Sequence, residues 1–438
     1  MSGNLKKSLA LRMAIVAGLT LLLLIPSAFI QNLISERRST HDQAIVEVSG
    51  KWGGHQTIAG PFLSLPFRQS DGQTEYAHFL PEQLEIKGQV EPNLRYRGIY
   101  KVLLFQAKLE ISGLFRTPAP GLLGIENDQV DWDRANIVIG VSDIRGIKEL
   151  ARIQWNDETY VSESALPHTH LFGTGIGIDV PISREESTYA FKLTLSVNGS
   201  KGISFIPAGK ETSTKIASGW VNPSFTGLSL PDRREVNDDG FRAEWRFLQT
   251  NRSFPQAWAG NAYSLKGSEF GVDLIFPVDE YQKTMRTAKY AIMFISITFL
   301  AFFMVELLNR RVLHPVHYLL TGFALLLFYT LLLSFSEHLS FSIAYWIASL
   351  AVVALIAFYI VPSLGGPKQT ALVSGLLLLL YTFFYVVLQM QDYALIMGSL
   401  GLFLILSIVM WLTRKMDWFS ILNAKSATEE KTGGKSAS

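Results

Sequence analysis

The sequence predicts an α+β membrane protein with an N-terminal transmembrane helix, a large, mostly antiparallel β domain, and a C-terminal bundle of five transmembrane helices. Three observations support this prediction. Residues 291–413 are almost continuously apolar, which is typical of membrane-spanning helices. Residues 40–280 instead carry short alternating segments bounded by Gly, Pro, Asn and Asp, the pattern of strands. A separate apolar segment lies near the N-terminus, at about residues 9–30.

The composition argues against several classes of protein. The chain has 438 residues, of which 39 are basic and 37 acidic, and this near-balance argues against a nucleic-acid partner. It has no cysteine, which excludes disulfides, thiolate nucleophiles and cysteine-ligated zinc. HExxH, GxSxG and Walker A motifs are missing from the sequence, so the common hydrolases and nucleotide-dependent enzymes lose support. We therefore expect no enzyme activity, no cofactor and no metal.

The charged breaks in the C-terminal apolar region divide it into five segments of the roughly 20 residues needed to cross a bilayer. We predict these helices at residues 288–308, 317–335, 340–361, 370–388 and 394–413. The chain then divides into an anchor (1–34), a β domain (35–286), a five-helix bundle (287–415) and a disordered cytoplasmic tail (416–438). A cleaved signal peptide is the alternative for the first segment, but no small-x-small cleavage site follows it.

Lysines and arginines beside the helices predict the orientation, because short loops that carry them stay in the cytoplasm. Most of these residues fall on one side of the predicted bundle: Lys6, Lys7, Arg310, Arg311, Lys368, Arg414 and Lys415. The exceptions flank the β domain on the outer side, and they carry less weight because long domains translocate largely regardless of charge: Arg37, Arg38, Lys283, Arg286 and Lys289. The opposite loops, SEHL and QMQDY, contain neither residue type. We therefore expect both termini in the cytoplasm and residues 35–286 on the outer side of the membrane.

Four segments of the β domain combine β-branched or aromatic residues with alternation of period two. They are residues 101–112, 136–143, 189–198 and 241–248. Turns are expected at 70–73, 197–202 and 236–240, where Gly, Asn and Asp cluster. The sequence shows no long amphipathic helix in this domain, and it leaves open whether the strands form one large sandwich or two smaller ones.

Five charged residues in or near the predicted helices form a candidate functional polar cluster: Glu306, Arg310, Glu337, His338 and Asp392. A lone charge at the depth of Glu306 costs roughly 3 kcal/mol, so we predict an ion pair with Arg310, four residues on. The alternative is that the Glu306 carboxylate carries protons instead of forming an ion pair. Glu337 and His338 are interpreted as an interfacial turn, with a functional pair as the alternative, and Asp392 lies in the other loop on that side.

The segment VDEYQKTMRTAKYA, residues 278–291, connects the β domain to the bundle without a Gly/Ser linker. Its candidate junction residues are Asp279, Tyr281, Arg286, Lys289 and Tyr290. Aromatic and basic side chains suit the headgroup zone of a bilayer. We expect either a rigid junction that passes strain to the bundle or a simple anchor.

The histidine pairs at 168/170 and 314/317 lack a third ligand, so metal is not expected at either.

The chain resembles the CreD family of bacterial inner-membrane proteins over nearly its whole length. The resemblance rests on WGGHQTIAGPFLSLPF (52–67), FPVDEYQKTMRTAKYAIMFISITFLAFFMVE (276–306), HPVHYLLTGFALLLFYTLLLSFSEH (314–338), QMQDYALIMGSLGLF (389–403) and TRKMDW (413–418). His317 stands where the family pattern HPxQY has glutamine. The resemblance implies the inner membrane, with residues 35–286 in the periplasm, and roles in envelope stress, β-lactam response, colicin tolerance and a two-component system. It implies no established reaction and no catalytic residues.

Three functional hypotheses follow. The first is a non-enzymatic inner-membrane protein that supports envelope integrity through a periplasmic β domain that binds an unidentified envelope component. The second is a transporter or lipid-handling protein with a path among helices 2 to 6, which depends on Glu306 and on the group formed by Glu337, His338 and Asp392. A membrane-bound enzyme is third. In each hypothesis the lipid bilayer is a partner, and the oligomeric state is open.

Overall fold

A computed structural model of the chain describes residues 9–162, 164–165, 171–185, 187–276, 280–309, 313–364, 366–390 and 393–414. It is α+β, with an N-terminal apolar helix, a central and mostly antiparallel β region, and C-terminal apolar helices, as the sequence predicts. The chain divides into two compact units. We call Met1–Thr40 with Val278–Ser438 the helical unit and His41–Pro277 the β unit.

Eight α-helices are described. They are α1 (Leu9–Leu22), α2 (Leu24–Trp52), α3 (Glu280–Lys289), α4 (Ala291–Asn309), α5 (Pro315–Ser336), α6 (Phe341–Leu364), α7 (Pro367–Gln389) and α8 (Ala394–Thr413). Among the described residues, four helical stretches are long and apolar enough to cross a membrane, and the bent pair α3 and α4 makes a fifth if it is one span. The apolar stretch Ile396–Trp411 of α8 is shorter. The predicted count of six therefore stays a prediction.

The first helix is longer than predicted. The sequence placed its end near Ile30, whereas helix continues to Trp52, interrupted only at Leu23. Backbone hydrogen bonds from Leu23 to Leu19 and from Ser27 to Leu23 bridge this interruption. Pro26 has no N–H to donate to the carbonyl four residues back, which accounts for the irregularity. Residues 35–52, which the sequence analysis assigned to the β domain, are therefore helical.

Helix α2 ends at Trp52 because Gly53 follows it with a backbone φ of 145°. A Cβ there would lie 2.5 Å from the Asn198 carbonyl oxygen, so only glycine fits. Just beyond, the Gln56 side chain is fully buried and donates to the carbonyls of Asn198 and Asp143, at 2.8 and 3.1 Å. The Asp143 carboxylate accepts from the Gly54 N–H and from Arg145. The hydrogen bond from Arg145 is the main reason that the Asp143 pKa falls to about 2.

The β unit contains seventeen described strands in two sheets. They are β1 (Gln56–Arg68), β2 (Thr74–Phe79), β3 (Gln83–Arg97), β4 (Tyr100–Arg116), β5 (Asn136–Val141), β6 (Arg152–Trp155), β7 (Glu158–Val161), β8 (Ser164–Ala165), β9 (Gly175–Asp179), β10 (Thr188–Ser200), β11 (Gly202–Phe205), β12 (Glu211–Ser218), β13 (Pro223–Gly227), β14 (Arg233–Asn237), β15 (Gly240–Leu248), β16 (Ala257–Ala259) and β17 (Phe270–Leu274).

One sheet has nine strands in the order β13-β17-β11-β1-β5-β9-β8, with β2 on β1 and β16 on β2. The other has eight, in the order β14-β15-β12-β3-β4-β10-β6-β7. Every described pairing is antiparallel except β1 with β11 and β12 with β3. Three predicted strands are confirmed within β4, β10 and β15, and the fourth is β5, which ends two residues earlier than predicted, at Val141. The turn at 70–73 is confirmed, and the turn predicted at 236–240 is narrowed to residues 238–239 between β14 and β15. The turn predicted at 197–202 is narrower, because β10 continues to Ser200 and only Lys201 separates it from β11.

The two sheets share one hydrophobic core. Phe270 of the nine-stranded sheet is fully buried and lies against two aromatic rings of the eight-stranded sheet. Its ring centroid is 4.4 Å from that of Phe247 and 5.6 Å from that of Trp245. Alternate residues of the central strands point into this core, for example Leu193, Leu195 and Val197 of β10. The strands therefore form one large sandwich, the first of the two alternatives.

We expect Phe270→Ala to lower the free energy of unfolding of the β unit by about 3–5 kcal/mol, because it removes a ring that contacts both sheets and leaves a cavity. A urea titration of the full-length protein in detergent micelles, followed by tryptophan fluorescence, measures this change. The matched variant Leu122→Ala changes a side chain that is 85% exposed, so its effect should stay within about 0.5 kcal/mol. Equal effects of the two variants would contradict the shared core.

Candidate functional site

Glu306, near the end of α4, is held by side chains from two other helices. Arg12 of α1 places Nη1 3.0 Å from Glu306 Oε1. The Tyr318 hydroxyl of α5 donates to Glu306 Oε2, also at 3.0 Å. The Glu306 side chain is only 6% exposed, and a carboxylate buried to this degree needs such donors. Both carboxylate oxygens therefore have a donor, and the carboxylate joins three helices.

The N-terminal helical segment and α5 also pack closely against each other near this ion pair. A Cβ at Gly322 of α5 would lie 2.2 Å from a methyl carbon of Leu23, so a glycine here lets the first helix approach α5 closely. The predicted partner Arg310 lies outside the described residues. The sequence reasoning missed Arg12 and Tyr318 because the i, i+4 rule considers only neighbours on one helix. The sequence did contain one indication of this contact, since Arg12 and Tyr318 are polar residues within two other apolar segments.

The second carboxylate of the predicted cluster, Glu337, follows the last turn of α5. The Tyr281 hydroxyl donates to Glu337 Oε1 at 3.2 Å, and Arg37 Nε lies 3.9 Å from the same oxygen. The Glu337 side chain is 10% exposed, whereas His338 is exposed. The structure therefore brings the junction residue Tyr281 together with Glu337. Asp392 and the junction residue Asp279 lie outside the described residues.

The other junction residues belong to α3 or follow it. Helix α3 buries Tyr281, Thr284, Thr287 and Ala288 and packs on α4, α5, α6 and α7. Arg286 is half-buried, Lys289 is exposed, and the Tyr290 ring lies 6.0 Å from that of Phe384 in α7. The axes of α3 and α4 meet at 45°. The junction segment is thus an amphipathic helix that packs on the bundle through its small and aromatic residues.

The two histidines at the start of α5 make local contacts. His317 Nε2 lies 2.7 Å from Ser363 Oγ of α6, and its Nδ1 lies 3.3 Å from the His314 carbonyl oxygen. The His314 side chain accepts from the Val316 N–H and caps the helix. In the described part of the chain, no three potential ligands group closely enough to hold a metal ion. His168 and His170 lie outside that part.

A small basic cavity lies in the β unit between the end of α2 and the β3–β4 hairpin. We call it the hairpin pocket. It has a volume of about 310 Å³ and is lined by Glu47, Val48, Lys51, Trp52, Arg95, Arg97 and Leu104. Lys51 and Arg97 lie 2.8 and 3.1 Å from Glu47, and the Arg95 guanidinium lies 5.9 Å from the Trp52 ring. Three cations and one carboxylate leave the pocket positively charged.

The tip of the same hairpin exposes apolar side chains. Leu94, Tyr96 and Ile99 are 44%, 65% and 40% exposed, and Gly98 makes the turn with a φ of 61°. An exposed apolar patch of this kind is typical of a contact surface; Leu94 and Tyr96 lie on the face of β3 opposite to Arg95 and Arg97. The sequence analysis missed this site because its residues match no motif and come from two separate segments.

One arrangement in the β unit resembles a Ser-His-Asp triad, but its geometry does not fit that chemistry. Asp273 Oδ1 lies 3.2 Å from His55 Nε2, and Ser204 Oγ lies 3.5 Å from the same nitrogen. In a triad the histidine uses one ring nitrogen for the acid and the other for the nucleophile. Both partners contact Nε2, so Asp273 does not orient the ring through Nδ1, and His55 cannot act as the base of a triad for Ser204 in the geometry found.

We expect Arg12→Gln to destabilise the helical unit by about 3 kcal/mol, because it leaves the Glu306 carboxylate buried without its cation. The double variant Arg12→Gln/Glu306→Gln removes both charges and should recover more than half of that loss. Thermal unfolding of the full-length protein in detergent micelles tests both changes. A neutral Arg12→Gln variant, or a double variant as unstable as the single one, would contradict the role given to the pair.

Comparison with known proteins places these features in one family. The family profile described as "Inner membrane protein CreD" matches residues 8–419. A protein of Escherichia coli (strain K12) described as "Inner membrane protein CreD" is 32% identical over 446 residues, which cover 98% of each chain. The match includes both the helical unit and the β unit. The chain therefore belongs to the CreD family of inner-membrane proteins.

Proposed function

We propose that this protein supports the integrity of the cell envelope without catalysing a reaction, through a periplasmic β unit that binds an anionic envelope component. The hairpin pocket is the observation that carries the proposal. It offers Lys51, Arg95 and Arg97 around a cavity, with Trp52 as an apolar wall. Envelope stress, including β-lactam and colicin exposure, is the proposed setting of this function.

The chemistry of the pocket favours an anionic ligand. Arg95 and Arg97 are exposed and present planar guanidinium groups, which match carboxylates and phosphates by paired hydrogen bonds. Glu47 holds Lys51 and Arg97 at the pocket and neutralises one of the three positive charges. Leu94 and Tyr96 alternate with these arginines along β3 and so lie on the opposite face of the hairpin, which leaves Trp52 and Leu104 as apolar contacts inside the pocket. A ligand with acidic groups and a small apolar part would fit this pocket.

The transporter alternative rests mainly on the membrane-buried carboxylate Glu306. Both of its oxygens already have donors, from Arg12 and Tyr318. A carboxylate that carries protons must lose such partners in part of its cycle, whereas a carboxylate that fixes helices keeps them. The contacts found favour a structural role for Glu306.

Cysteine labelling tests the periplasmic placement of the β unit. The natural chain has no cysteine, so Tyr96→Cys and Lys368→Cys each introduce a single reactive thiol at an exposed position. We expect a membrane-impermeant maleimide to label Tyr96→Cys in spheroplasts and to label Lys368→Cys only after lysis, because basic loops stay in the cytoplasm. The reverse pattern, or equal labelling of both variants before lysis, would overturn the topology.

Charge removal tests the hairpin pocket itself. We expect Arg95→Gln/Arg97→Gln to reduce photo-crosslinking of a probe at position 99 to its envelope partner by at least about tenfold, since each charge-assisted hydrogen bond contributes roughly 1.5–3 kcal/mol. Survival of a complemented null strain under envelope stress should fall as well.

The matched control is Arg233→Gln/Arg234→Gln, which removes the same charge from exposed positions of β14. This variant should crosslink and survive like the natural protein. If both double variants keep full crosslinking and full survival, the pocket has no part in the function.

A further inference from the structure

The helical unit contains an apolar groove that none of its polar contacts uses. It has a volume of about 440 Å³ and lies among α4, α7 and α8. Ala301 and Met304 of α4, Leu376 and Phe383 of α7, and Gly401 and Ile405 of α8 contribute to its wall. The side chains that line it are apolar throughout. The volume lies within the roughly 300–1,000 Å³ that is usual for ligand pockets, but these walls offer a hydrophilic ligand no hydrogen bond.

The length of the groove suits one leaflet of a bilayer. Along α7 its wall runs from Leu372 to Phe383, which is about 16 Å at 1.5 Å per residue. The hydrocarbon core of a bilayer is about 30 Å thick, so one leaflet contributes about half of that. An extended acyl chain of a phospholipid therefore has both the length and the polarity that the groove requires.

The chain direction of the helices determines which helix ends lie on the same side of the groove. Helices α4 to α8 are joined by short connections, so consecutive helices run in opposite directions across the membrane. The end of α4, the start of α7 and the end of α8 then share one side. The groove uses 297–305 of α4, 372–383 of α7 and 401–409 of α8, so it lies in the middle of the bundle and reaches to within about one helical turn of that side.

Two cations stand at the same end of the groove. Lys368 lies in the first turn of α7, four residues before the groove residue Leu372, and is exposed. Arg414 follows α8, five residues after the groove residue Val409, with its guanidinium 5.6 Å from the Trp411 ring. Basic side chains at the ends of helices that enclose an apolar groove bind the headgroups of anionic lipids.

We propose that this groove is a binding site for one anionic phospholipid, with an acyl chain along α7 and its phosphate headgroup held by Lys368 and Arg414. Gly401 and Phe383 both belong to the wall of the groove. A Cβ at Gly401 would lie 2.2 Å from the Phe383 ring, so a larger residue at 401 would displace that ring and change the shape of the groove. The site is separate from the hairpin pocket, and its test does not depend on the proposed function.

Native mass spectrometry of the full-length protein released from nanodiscs tests the proposal. The nanodiscs contain equal amounts of phosphatidylglycerol and phosphatidylethanolamine. We expect the natural protein to retain one phospholipid, enriched at least about fivefold in phosphatidylglycerol. Ala301→Phe places a ring in the groove and should reduce the retained lipid about tenfold.

The matched control Ala354→Phe adds the same ring to an exposed position of α6 and should retain lipid as the natural protein does.

A second pair of variants separates the contribution of the lipid headgroup from that of the acyl chain. Lys368→Gln/Arg414→Gln should still retain a phospholipid but lose the enrichment, while the charge-matched Arg233→Gln/Arg234→Gln in the β unit should keep it.

Either of two results would overturn the site. The first is retention of no phospholipid by the natural protein, or of equal amounts by Ala301→Phe and Ala354→Phe. The second is an unchanged enrichment in Lys368→Gln/Arg414→Gln. If Ala301→Phe fails to fold, Leu376→Trp fills the same groove from α7 and replaces it in the comparison.

Discussion

The helical unit depends on one buried carboxylate. Glu306 lies among apolar helices, and such a group is tolerated only when its oxygens receive hydrogen bonds. Arg12 and Tyr318 supply them from positions 294 residues earlier and 12 residues later in the chain. Packing in a bilayer lacks a strong hydrophobic driving force between helices, so this contact specifies which helices are neighbours. The N-terminal segment is therefore part of the folded helical unit.

Carboxylates have a similar organising role at the second cluster of the helical unit and in the β unit. Glu337 holds Tyr281 of α3, and Glu47 holds Lys51 and Arg97 at the hairpin pocket. The hydrogen bond between Tyr281 and Glu337 fixes α3 against the bundle, and burial strengthens this hydrogen bond. The second set of contacts, made by Glu47, is exposed, so its contribution to stability is small, and its main effect is to position cations around a cavity. The same residue type thus supports structure in one place and a proposed binding surface in the other.

The sequence predicted the features that depend on local pattern. Four strands, two turns, the α+β class and the helices α5 to α7 follow from periodicity and apolar length. It could not predict the helix between residues 35 and 52, because this segment is polar and no apolar run marks it. The contacts of Glu306 and the hairpin pocket join residues far apart in the chain, and no local rule detects such pairs. The roles assigned to Arg310, Asp279 and Asp392 stay predictions.

The strand order of the β unit has a consequence for how the chain acquires its structure. The final strand, β17, lies between β13 and β11, and β11 in turn pairs with β1, the first strand. The nine-stranded sheet therefore cannot be completed until the ribosome has released nearly the whole segment. Pairing between such distant strands is slow, and incomplete sheets expose edges that aggregate. Until residue 274 has emerged, the growing β unit therefore has unpaired strand edges at the positions that β17 later fills.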